Sequence, residues 1–173
     1  KLTQAIEKRR GTMPTGRSAI ELPKGMEIKW DEDRLMTAYG NGKRDFSQQK
    51  LEGLNLSGVK LTKSIFRYGD LQNITLTDAN LFQVNFYGAN LSNANLSNSN
   101  LIQAYLSNSN LENVNLKGAN LVSADFTNAN LNNTNLCGAN LKNAKINQEQ
   151  LKRAKINRST VFPDGRRLWW KFF

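Results

Sequence analysis

Cys137 is the single cysteine of a 173-residue chain that has no histidine, and the acidic side chains of its middle, Asp70, Asp78, Glu112 and Asp125, stand far apart. Such a set does little covalent work. A lone thiol closes no intramolecular disulfide, and without His the usual zinc ligand sets vanish. There is no phosphate-cradling glycine loop, and serines recur at interchangeable positions rather than beside a base. The sequence therefore yields no catalytic residue, no metal site and no cofactor, and reads as that of a non-enzyme. Cys137 reads as an inert surface thiol.

The remaining chemistry is recognition. Phe82, Ile102 and Val122 follow one another at intervals of twenty, with Thr62 and Lys142 continuing the series at either end. If they share a surface column, they form an apolar stripe fit for a contact. Arg67, Tyr68, Tyr87 and Tyr105 are expected on the adjoining side near the shared corner, and Arg and aromatic residues dominate interface hot spots. Three readings of the stripe stand: cover by residues 1–30 or the C-terminal tail, a protein-partner interface, or chance scatter. The tail itself, "RRLWWKFF", packs Arg166, Arg167, Trp169, Trp170, Phe172 and Phe173 into eight residues. It suits either a cap over the last repeat or a segment dipping into an anionic membrane interface.

These residues need a frame, and a strict period of five supplies it. From Phe46 to Val161 every fifth residue is apolar, over 24 consecutive positions. Neither a helix nor a simple strand carries that period, so the chain reads as a repeat architecture. Phe46, Phe66, Phe86 and Phe126 fall at multiples of twenty, which nests four five-residue units in one coil, each unit one side of a square. The fifth-position residue then points inward and stacks on its counterpart one coil away. A small residue two places earlier also points in, and Asn or Asp just before the Leu reads as the corner former. Burial of each inward Leu is worth about 1.5–3 kcal/mol. Twenty-four units make about six coils.

Charge sits at the ends of this body. Residues 1–44 carry 10 basic and 6 acidic side chains, residues 45–146 carry 7 and 6, and residues 147–173 carry 7 and 2. A near-neutral body offers no phosphate track for nucleic acid. Solenoids need caps. At the front, Asp31 or Asp33 is set to cap a short helix ended by Gly40 or Gly42, with Leu35, Met36 and Tyr39 covering the first Phe. At the back, Glu149 breaks the small-residue rule, so a helical turn is expected over Gln148–Arg153, and Pro163, Asp164 and Gly165 make a closing turn. The segments are thus a basic arm or linker over 1–30, a helical N-cap over 31–44, the repeat over 45–162 and an aromatic, basic tail over 163–173. Residues 19–30 fit an extended segment lying along the rod as well as a free arm. There is no membrane-spanning run and no secretory signal. The first residue is Lys rather than Met, which fits a processed form or an excised segment.

The runs "GANLSNANLSN", "KGANLVSADFTNANLNN" and "CGANLKNAKI" resemble the pentapeptide-repeat family, whose consensus is A-(D/N)-L-X-X, and the resemblance covers about two-thirds of the chain. The lead-in from Tyr39 through Gly42, Lys43, Arg44 and Asp45 to Phe46 is similar to that of cyanobacterial members. The resemblance implies an all-β, right-handed quadrilateral β-helix, and it implies little about function. Some members are DNA mimics that bind type II topoisomerases, which requires a strongly negative rod; the body here carries +1, against that role.

The expectation from sequence is a non-catalytic scaffold binding an unidentified protein partner through an outer face. The alternatives are an interaction module of a larger kinase or membrane-associated protein, or a peripheral membrane protein using its tail. The expected location is cytoplasmic or membrane-peripheral, with a processed organellar or lumenal form also open, and the oligomeric state is not indicated.

Overall fold

The computed structural model describes residues 29–167. Its body is a repeat solenoid in which one residue per pentad pairs in parallel with the residue twenty further on, from Asp45↔Ile65 through Asp125↔Lys145. Two hydrogen bonds make each rung: Leu91 N donates to Asn110 O at 2.9 Å, and Asn110 N donates to Ala89 O at 3.0 Å. The backbone of one coil is thereby satisfied by the next, which is what a chain of very short strands needs.

The pentad folds as it does because its five residues have separate tasks. The central Leu or Phe points inward; from Phe46 to Leu141 every one is at most 2% exposed. The residue two before it shares the interior, so Ala, Val, Ser or Thr is found there at most positions, with Ile74 the largest that is fully buried. Ser99 and Ser109 satisfy their hydroxyls by donating to the carbonyls of Leu96 and Leu106. The Ser64 hydroxyl, equally buried, has no partner among the described residues.

The corner falls on the two residues after the Leu, not on the Asn before it. Ala94 N closes a turn on Leu91 O at 2.9 Å, and Asn93 inside that turn has φ +60°. A hydrogen-bonded turn with positive φ at its third residue is type II, which favours Gly or Asn there. The Asn before the Leu is instead the rung residue. Its side-chain oxygen accepts from the backbone N–H two residues on, as Asn85 does from Tyr87 N at 2.9 Å, and stabilises the approach to the corner. These amides also bond along the rod, Asn135 to Asn115 at 3.3 Å and Asn115 to Asn95 at 3.1 Å.

A helix, α1 (Glu32–Gly40), closes the front, with Asp31 as its N-cap accepting from Arg34 N. Leu35 is fully buried, and Met36 and Tyr39 pack on the core beside it. Glu32 takes the N–H of Asn55 at 2.9 Å, a group that in later coils is paired by the preceding turn of chain. Trp30 corrects the reading that ends the arm at residue 30. It is 8% exposed and meets Phe46 edge-on at 5.5 Å, while its Nε1 donates to Gln49 at 2.8 Å. It belongs to the cap and begins the ring stack that continues through Phe66 and Phe86, with centroids 5.4 Å apart.

At the back, α2 (Gln148–Arg153) replaces one side of a coil. Gln150 stands where a rung would be and donates its side-chain amide to the carbonyls of Phe126 and Ala129, at 2.6 and 3.1 Å. The register then slips by one. Asn135 pairs with Lys155, but Asn140 pairs with Val161, twenty-one residues on. Val161 is thus a rung residue and not the last member of the inward ladder. The interior place is held by Thr160, fully buried, whose hydroxyl donates to Leu136 O. A hairpin through Pro163–Gly165 finally lays Arg167 antiparallel against Val161.

Candidate interaction site

The outer surface of the body is mostly Asn, Ser and Thr, and against that background one corner stands apart. Arg67 and Tyr68 form the turn after Phe66, and Tyr87 and Gly88 form the same turn one coil later. Stacking at the coil repeat brings Tyr68 and Tyr87 into an edge-to-face contact, centroids 5.4 Å apart. The Arg67 guanidinium lies 5.2 Å from the Tyr87 ring centre and 5.7 Å from that of Tyr68. A cation so placed is held by both ring faces. Among the described residues it makes no ion pair.

Tyr68 occupies the third turn position with φ +54°. Its ring extends over Gly88: a Cβ at Gly88 would fall 2.6 Å from two of the ring carbons. Gly88 is a participant that sequence reasoning missed, since it looks like the turn glycines at 53, 58, 118 and 138. The available signal was a tyrosine twenty residues before it. Tyr68 and Tyr105 are the two large hydrophobic residues that stand exposed among the described residues, each 53%.

The other expected residues are arranged differently from the sequence reading. Tyr105 is a rung residue, between Asn85 and Asp125 on the same side of the rod. The Phe82, Ile102 and Val122 column borders the corner before that side, and the Arg67–Tyr68–Tyr87 cluster is at the corner after it. The two groups flank one side and do not share a corner. Phe82, Ile102 and Val122 are half-buried and not freely exposed, because each residue in a stacked column covers part of the next. At the front of this column the Tyr39 hydroxyl meets both the carbonyl and hydroxyl oxygens of Thr62 at 3.2 Å, so α1 covers its first member. Lys142, at the other end, is exposed.

Charge around the corner is mixed. Asp45, in the coil before Arg67, has its carboxyl held below the ordinary range by the hydroxyl and N–H of Ser47, helped by Lys43 and Arg67. Asp125 lies along the Tyr105 column. Burial raises its pKa, but bonds from the Thr127 hydroxyl and N–H, together with Lys145 at 3.4 Å, leave it lowered overall.

Elsewhere the surface offers less. Cys137 is half-buried with its Sγ 3.8 Å from Lys155 O. An open cavity of ≈ 200 Å³ beside α2 is lined by Asn128, Leu131, Asn147, Glu149 and Arg153. Arg166 and Arg167 lie in the closing hairpin, exposed, with Arg166 paired to Asp164 at 2.9 Å. Trp169, Trp170, Phe172 and Phe173 lie outside the described residues. Among those described, no group of three or more ligating side chains could hold a metal ion, and no helix is long and apolar enough to cross a membrane.

A solenoid of five-residue units in parallel register defines a class of repeat scaffold, and sequence comparison identifies which. The family described as "Pentapeptide repeats (8 copies)" matches residues 45–78, and that described as "Pentapeptide repeat region" matches 79–156. The chain belongs to the pentapeptide-repeat proteins, which are generally non-catalytic structural scaffolds. Among solved structures it is similar to the pentapeptide repeat protein Rfr23 from the cyanobacterium Cyanothece 51142, with 28% identity, 75% of this chain and 97% of that one covered, and a TM-score of 0.49. It is similar also to HetL of the cyanobacterium Nostoc sp. strain PCC 7120, a protein involved in heterocyst differentiation regulation, with 16% identity, coverage of 81% and 100%, and a TM-score of 0.34. A trypsin-treated form of QnrB1, a plasmid-mediated fluoroquinolone resistance protein, matches with 20% identity, coverage of 68% and 67%, and a TM-score of 0.42. Comparison with curated proteins finds no match.

Proposed function

We propose that the chain is a right-handed quadrilateral β-helix of about six coils that serves as a rigid, non-catalytic scaffold. In this reading it docks a protein partner on the side bounded by the Phe82–Ile102–Val122 column and the Arg67–Tyr68–Tyr87 corner, with Tyr105 between them. Tyr68 carries the reading. A bulky residue in the left-handed region costs about 1–2 kcal/mol, and equivalent turn positions use Asn or Gly at most other corners. Positive φ recurs at every corner, and Gln48, Lys63, Gln83 and Gln103 share it; what sets Tyr68 apart is an exposed aromatic ring seated over a glycine. Aromatic residues and Arg are also the usual anchors of protein interfaces.

The test is a photo-crosslinking residue placed at Asn108, one coil beyond Gly88 in the Tyr68 column, in cells that make the protein. The control places it at Asn113, on the next corner of the same coil. Both sites are exposed. A discrete protein adduct at 108 and none at 113 is expected. Equal labelling at both sites, or none at 108, overturns the proposal.

A further inference from the structure

We infer that the corner recognises a carboxylate side chain, so that the docked segment of the partner presents one Asp or Glu beside apolar residues. This rests on the reading of that side as the docking face. The Arg67 guanidinium is positioned by two tyrosine rings and, among the described residues, is left without a carboxylate; Asp45, the acid that senses it, bonds Ser47 instead. The three ion pairs among the described residues each match their charges locally, Asp125 with Lys145, Glu149 with Lys152 and Asp164 with Arg166. A planar guanidinium held over rings keeps its N–H fork free for bidentate pairing with a carboxylate.

Beside that fork the hydroxyls of Tyr68 and Tyr87 have no hydrogen-bond acceptor among the described residues, so the corner offers donors with nothing to receive them. Tyrosine rings and the half-buried Phe82 and Ile102 provide apolar contact for the residues on either side. The surrounding acids set the limit on charge. Asp45 precedes Arg67 by one coil, Asp70 follows it by three residues, and Asp125 lies along the Tyr105 column. A polyanion tracking the surface would meet all three, whereas one isolated carboxylate meets Asp45 alone, whose oxygen Ser47 already engages. A protein segment is therefore favoured over a nucleic acid, which needs a continuous phosphate track.

The experiment titrates the isotope-labelled protein with three probes while following backbone and Arg side-chain resonances. The probes are a short peptide with one glutamate between leucines, its glutamine twin, and a twelve-residue oligothymidylate. The glutamate peptide is expected to shift Arg67, Tyr68, Tyr87 and Gly88 and leave Asn93 and Asn113 in place. Loss of the charged contact, by the glutamine twin or by Arg67→Gln, should weaken binding about tenfold or more. Arg67→Lys should recover part of it, and added salt should weaken it. Equal binding of the two peptides, tighter binding of the oligonucleotide, or no shift at the corner overturns the inference. If the peptides fail while the crosslink at Asn108 still forms, the carboxylate assignment falls and the docking face stands. If both fail, so does the face.

Discussion

Gly88 and Gly138 occupy the same turn position with φ +64° and +71°, yet they differ in what lies beside them. A Cβ on Gly138 meets its nearest atoms at 3.9 Å; one on Gly88 meets the Tyr68 ring at 2.6 Å. Gly138→Ala should therefore cost the backbone penalty alone, about 1–2 kcal/mol. Gly88→Ala should cost that and also expel the Tyr68 ring. Thermal melts should show the larger loss for Gly88→Ala, and near-ultraviolet circular dichroism should change in that variant alone. Equal melts with unchanged spectra would show that the ring does not depend on the glycine. Titration belongs to this scale as well. Rung positions are mostly Asn, but Asp45 and Asp125 have lowered pKa values, so each contributes stability that is present above its unfolded pKa and lost as pH falls through the folded one. Asn makes the same bond to the N–H two residues on without titrating. The double change Asp45→Asn, Asp125→Asn keeps these bonds but gives up the charged contribution, so it should lower the melt slightly at pH 7 and flatten its decline below about pH 4. A decline as steep as that of the parent would place the acid sensitivity elsewhere.

At the scale of elements, the pentad was legible because each of its tasks restricts residue type, and the period of five repeats that restriction without interruption. The cap helix was legible from Asp31, the acidic first turn and the glycines at its end. Trp30 was not, since one aromatic outside a repeat carries no periodic signal, and only the structure shows its ring on Phe46. Truncating it removes the edge-on contact and opens the front of the stack. Trp30→Ala should destabilise by about 3–5 kcal/mol, and the first coil should lose hydrogen-exchange protection before the middle ones. A melt within a degree of the parent would mean that Leu35 and Tyr39 close the front unaided. The slip before Val161 was hidden for a different reason. An apolar residue happens to fall at the fifth place there, while the loop from Asn157 to Thr160 adds one residue that Thr160 compensates by filling the interior. Corner position was misassigned because Asn suits both an Asx bond and a left-handed turn, and composition alone does not separate the two.

For the whole molecule, the fold divides labour between an interior that cannot vary and an exterior that can. The ladder of Leu and Phe with its rungs supplies the stability, so side chains on the outer columns are free to serve other ends. The Arg67, Tyr68, Tyr87 and Tyr105 group departs from its columns, which elsewhere carry Ser47 and Ser107, Asn108 and Asn128, and Asn85. The most direct measurement reverts all four at once, Arg67→Ser, Tyr68→Asn, Tyr87→Ser and Tyr105→Asn, in the protein bearing the crosslinker at Asn108. Surface changes cost little, and Asn at position 68 relieves strain, so the melting temperature should move by less than about 5 °C. The crosslinked adduct should disappear. A large fall in the melting temperature would show that the aromatics belong to the fold, and an adduct that persists at full yield would show that the partner does not use them.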